Sequence, residues 1–83
     1  MEIRMNLQAK NVTDFVAVCN KEKFDVNVIC GRYCVDGKSV MGVMDMCGRT
    51  ATIAPVTTDE IEIERFFKRI KPLGAYKTEG FYG

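Results

Sequence analysis

The sequence predicts an α+β fold, an open-faced sandwich in which helices cover one face of an antiparallel sheet. Three observations carry that prediction. Residues 1–8 place apolar side chains at Met1, Ile3, Met5 and Leu7, the two-residue period of a half-buried strand. Phe24, Val26, Val28 and Cys30 repeat the alternation and meet Tyr33, Cys34 and Val35 across Gly31-Arg32, a two-residue hairpin turn. Ile63, Phe66, Phe67 and Ile70 fall at i, i+3, i+4 and i+7, the apolar stripe of an amphipathic helix.

The elements between these anchors follow in order. Asn11 reads as the cap of a first helix over 12–22, with Asp14 in its first turn and Val12, Phe15, Val16 and Cys19 as its inward stripe. After the hairpin, Asp36-Gly37 signals a turn. Ser39 then caps a short second helix carrying Val40, Met41, Val43, Met44 and Met46, punctuated by Gly42 and stopped by Gly48. Thr50 and Thr52 alternate with Ala51 and Ile53 in a strand that Pro55 ends. Thr57 and Glu60 have the spacing of a capping box for the third helix, which Lys68, Arg69 and Lys71 close and Pro72 with Gly74 stop. The predicted order is β-α-β-β-α-β-α: one domain over 1–83, a four-stranded antiparallel sheet, and helices packed on one face. Residues 71–83 form a C-terminal tail with Tyr76, Phe81 and Tyr82, either frayed or folded back on the domain.

Composition narrows the function. Twelve Lys and Arg against eleven Asp and Glu leave a formal charge of +1, so no overall field gathers nucleic acid or an anionic membrane. The chain has no histidine, which closes Cys-His, Ser-His and His-metal chemistry. Residues 1–4 alternate charge and apolarity rather than opening a signal peptide, and no apolar run is long enough to span a bilayer, so the expected compartment is the cytoplasm. Cys19, Cys30, Cys34 and Cys47 are then expected to stay reduced. Their spacing lacks the paired ligands of a zinc site, so a thiol-based metal or redox module is the weakest alternative, and neither metal nor cofactor is predicted. The hairpin turn sets Cys30 opposite Tyr33 and Cys34 opposite Ile29, which points the two sulfurs to opposite faces and argues against a bond between them.

The stretch Asp25-Val26-Asn27-Val28, followed at hairpin distance by Lys38-Ser39-Val40-Met41-Gly42-Val43-Met44, resembles the HPr family, the phosphocarriers of the bacterial sugar phosphotransferase system. In that family the second segment typically reads Lys-Ser-Ile-Met-Gly-Val-Met. The resemblance covers roughly residues 1–71 and implies an HPr-like open-faced β-sandwich. The family's active loop usually reads Gly-Ile-His-Ala-Arg-Pro-Ala, and Asn6-Leu7-Gln8-Ala9-Lys10-Asn11-Val12 stands in its place. Gln8 occupies the histidine position, as in the Crh-like members. Asn6, Lys10 and Asn11 depart from the family's Gly, Arg and Pro.

An amide cannot replace the imidazole. The nitrogen lone pair of Gln8 is delocalised into its carbonyl, so Gln8 is not a phosphoryl acceptor, and Lys10 lacks the planar fork of an arginine. Gln8 and Lys10 therefore read as a degenerate phosphocarrier site, Gln8 being either a docking residue or a plain polar residue at a strand end, and the protein is not expected to be an enzyme. The resemblance implies a second site at Ser39, the serine that a dedicated HPr kinase modifies in low-GC Gram-positive members, whose modified form docks on a LacI-type repressor of catabolite genes. The alternative role for Ser39 is a helix cap worth about 1 kcal/mol. Lys38, Met41 and Met44 are candidate docking residues, with core packing the alternative for the methionines and Met46 assigned to the core. The predicted function is a phosphoserine-responsive binding module in carbon catabolite repression. The alternative is phosphate-independent docking on phosphotransferase proteins such as Enzyme I. Protein partners are expected, with no direct nucleic acid or membrane contact, and Crh-like relatives suggest a homodimer formed by exchange of the first strand.

Overall fold

The structure is a computed structural model that describes residues 2–79. Its elements are β1 (Glu2–Asn6), α1 (Ala9–Asn20), β2 (Val26–Cys30), β3 (Tyr33–Asp36), α2 (Val40–Met44), β4 (Thr50–Pro55), α3 (Glu60–Ile70), a 3-10 turn (Lys71–Leu73) and β5 (Tyr76–Thr78). The sheet runs β3-β2-β4-β1-β5 with every neighbouring pair antiparallel. The fold class is as predicted, but the strand number is five, not four.

The fifth strand comes from the tail. Pro72, without an N–H, ends the α-helical ladder in a 3-10 turn, Gly74 turns the chain at φ 110°, and Arg4 pairs with Tyr76 and Glu2 with Thr78. Three residues have too short a period to be legible, and their pairing depends on β1 being presented beside them. Phe81 and Tyr82 lie outside the described residues. With β4 on one side and β5 on the other, β1 is an interior strand.

Alternation decides the faces. Ile3, Met5, Val26, Val28, Ala51 and Ile53 point beneath the helices and are buried, while Arg4, Asn6, Ile29, Thr52 and Cys34 share the open face. Val12, Phe15, Val16 and Cys19 of α1, Val43 of α2, and Phe66 and Ile70 of α3 close the core from above. Phe24 and Phe66 meet edge to face at 5.7 Å. The hairpin has its predicted register, Cys30 with Tyr33 and Ile29 with Cys34, and Gly31 takes the positive φ its turn requires. All four cysteines are free thiols.

Two helix starts differ from expectation. The first helix begins at Ala9 rather than Val12 and ends at Asn20, so Gln8 is its cap position and Asp14 lies beyond its first turn. Asn11 sits one turn inside, where its Oδ1 accepts the Gln8 N–H at 2.9 Å, the return half of a capping box. The third helix is capped by Asp59, whose Oδ1 accepts from the Ile61 N–H at 2.9 Å, and not by Thr57. Thr57 instead donates its hydroxyl to Glu62 at 2.9 Å. In both places an Asx or amide side chain competes for the same free N–H groups, and the spacing alone does not rank the competitors. Among the described residues, no helix is long and apolar enough to cross a membrane.

Candidate functional site

Gln8 follows β1, where Leu7 is fully buried and anchors the loop. The Leu7 N–H donates to the Arg49 carbonyl at 2.9 Å and the Gly48 N–H to the Leu7 carbonyl at 2.7 Å, which ties the loop to the chain leaving α2. Asn11, the one buried polar side chain among the described residues, donates through Nδ2 to the carbonyls of Asn6 at 3.0 Å and Leu73 at 3.2 Å. It joins the loop, the first turn of α1 and the 3-10 turn. The side chains of Gln8 and Lys10 project from this frame into solvent. The sequence marked Asn11 as a helix cap; its role as a three-way bridge was hidden because Leu73 is 62 positions away.

Ser39 lies at the other end of the helical layer. Its Oγ accepts the Gly42 N–H at 3.2 Å, the predicted cap. Gly42 allows a close approach here: a Cβ would lie 3.2 Å from that of Val35 and 3.4 Å from Ser39 Oγ, tighter than ordinary contact, so α2 rests directly on β3. The Lys38 carbonyl accepts from Asn20 Nδ2 at 3.1 Å, and Lys38 Nζ donates to the Glu22 carbonyl at 2.9 Å. Lys38 is thus half-buried against the end of α1, with its ammonium already engaged. Helices α1 and α2 run side by side in opposite directions, so Gln8 and Lys10 flank one end while Ser39 and Lys38 flank the other. The twelve residues of α1 put about 18 Å between those ends. The structure separates the two candidate phosphate sites.

Between them lies an apolar surface. Met41 is 81% exposed, and Val40 and Met44 are also open to solvent, while Met46 is buried. The Cys47 thiol donates to the Met44 thioether at 3.6 Å. Tyr33 stands beside this region with the Arg49 guanidinium over its ring at 5.9 Å, a pairing no sequence signal marked. The five residues of α2 form too short a helix to carry much dipole, so its head offers free N–H groups rather than a strong field.

Two titrating groups are perturbed. Burial pushes the Cys19 thiol up to about 12, since a thiolate there would be stripped of water. A hydrogen bond from Lys77 holds Glu64 below the usual carboxylate range, and the same ammonium lies 4.7 Å from the Phe67 ring centroid. Neither group adjoins Gln8 or Ser39 in the chain. A shallow groove of about 760 Å³ opens at the far end of the sheet between Ile3, Ile29, Thr52 and Ile63, and none of the predicted site residues lines it.

These observations define an HPr-like fold, an antiparallel sheet with helices on one face, bearing a serine-capped short helix and no imidazole at the loop after β1. The solved structure of HPr-C-His from Thermoanaerobacter tengcongensis is similar: TM-score 0.64, 22% sequence identity, 84% of this chain and 89% of that chain covered. No family model and no curated protein matches the sequence. The likeness is one of fold.

Proposed function

We propose that this chain is a Crh-like regulatory module of the bacterial cytoplasm, without phosphohistidine transfer, that responds to phosphorylation of Ser39. The supporting observation is the position of Ser39: a half-buried hydroxyl at the head of α2, against the exposed Val40, Met41 and Met44, in a chain without histidine. A phosphate brings roughly −1.5 to −2 charges and strong acceptor oxygens to the rim of an apolar patch. A partner then reads apolar contact and charge together, the combination offered by a LacI-type repressor of catabolite genes. The modifying enzyme is an HPr kinase. Gln8 and Lys10 contribute at most a docking contact, and the module performs no catalysis of its own.

The experiment is intact mass after incubation with ATP and an HPr kinase, beside Ser39→Ala. One phosphate on the native chain and none on the variant is expected, followed by phosphate-dependent retention of the repressor. No modification, with a control HPr modified in the same tube, overturns the reading and leaves Ser39 as a helix cap. The exposed methionines then favour the second reading, phosphate-independent docking on a phosphotransferase protein such as Enzyme I, which Met41→Ser and Met44→Ser weaken. A homodimer by exchange of β1 belongs to the same Crh-like reading, and because β1 is paired on both edges, exchange requires two ladders to open.

A further inference from the structure

We infer that β3 is a self-complementary edge through which two copies of this chain pair, antiparallel and centred on Cys34. This inference does not depend on the Ser39 reading. A two-residue turn closes on a hydrogen-bonded pair, so Cys30 and Tyr33 exchange bonds, as do Val28 and Val35. The next member of that series is observed, the Gly37 N–H donating to the Val26 carbonyl at 2.7 Å. The main-chain groups of Cys34, and the N–H of Asp36, therefore point away from β2. Among the described residues, no strand covers that side. Within this short edge, Tyr33-Cys34-Val35 contains neither Lys nor Pro, and the charges that flank it, Arg32 and Asp36, are of opposite sign.

Two antiparallel copies centred on Cys34 set each Arg32 opposite the other's Asp36, and each Tyr33 opposite the other's Val35. The charges are complementary, and Asp36 lies on the open face with Cys34. Arg32 is exposed and, among the described residues, pairs with no carboxylate. Asp36 uses one carboxylate oxygen to accept the Lys38 N–H at 2.9 Å and keeps the other for a guanidinium. On the helix face, Tyr33 is 64% exposed and gains an apolar neighbour in Val35. The outward groups fall on the same residues that the register brings together, so the two Cys34 residues form a hydrogen-bonded pair. Their Cα atoms come to about 5.5 Å, and their thiols share one face. The occupant is thus a second copy, and the product is one continuous sheet with the helices of both copies on the same side.

Sedimentation at millimolar protein tests this. A monomer–dimer equilibrium is expected, weakened at least tenfold by Cys34→Pro, because proline is tolerated where an edge N–H points outward but cannot donate to the seam. Arg32→Glu, an exposed turn substitution that leaves the hairpin bonds intact, is expected to weaken it comparably, and added salt in the same direction. A short bismaleimide should link native dimers through Cys34 and fail with Cys34→Ser. A chain that sediments as a monomer throughout overturns the proposal. So does a dimer indifferent to Cys34→Pro and Arg32→Glu, the behaviour of an exchanged β1.

Discussion

Ser39 is the residue on which the structural and functional arguments meet, because one oxygen serves both as a cap and as the candidate modification site. Replacing it by alanine removes the acceptor of the Gly42 N–H and should cost about 1 kcal/mol, read as a lower urea midpoint with an unchanged slope. Ser39→Asp keeps an acceptor at the cap and adds a charge, so it should retain most of that stability. If alanine is neutral, water satisfies the Gly42 N–H and the cap contributes nothing. Lys38 makes the complementary point: its ammonium rests on the Glu22 carbonyl, so recruiting it to a partner first requires that bond to break.

At the scale of elements, the loop after β1 is held by Asn11 rather than by a rigid ring. Asn11 satisfies the Gln8 N–H and two carbonyls, those of Asn6 and Leu73, from a buried position. Asn11→Ala should therefore destabilise by about 1–3 kcal/mol, the cost of leaving buried polar groups unpaired. The loss should appear in hydrogen exchange as faster exchange at Gln8 and in the strand that follows Leu73. Asn11→Asp keeps the acceptor but loses both donated bonds, and should fall between the native chain and alanine. Exchange confined to Gln8 would show that the 3-10 turn and β5 hold without this bridge.

For the whole molecule, the buried thiol of Cys19 links stability to pH. Its folded value of about 12 stands above the unfolded value of 9.0, so the folded chain keeps a proton that the unfolded chain releases. The contribution is fully present below pH 9.0 and is lost as the pH climbs toward 12. The urea midpoint should decline over that window, and more steeply than in Cys19→Ala, which lacks the group. In native protein near neutral pH, Cys34 should react with a thiol reagent first, Cys30 and Cys47 more slowly, and Cys19 only on unfolding. Rapid native labelling of Cys19 would mean that the core opens far more often than its packing implies.

The sequence alone determined what depends on neighbours in the chain. Alternation in residues 1–8 and 24–35 and the four-residue stripe from Ile63 to Ile70 set the elements and their buried faces. The Gly31-Arg32 turn set the hairpin register, and the histidine count set which chemistry is closed. The motif from Lys38 to Met44 also made the Ser39 cap and the exposure of Met41 legible. The tertiary structure decided what depends on residues far apart. β5 exists because β1 lies beside it. Gln8 displaces Asn11 from the cap position, and Asn11 is drawn inward by carbonyls on two other segments. Lys38 is claimed by the end of α1, and Gln8 and Ser39 are parted by the length of that helix. Local periodicity records which side of an element is buried, whereas the partner that buries it and the hydrogen bonds that cross to it are settled only when the chain closes on itself.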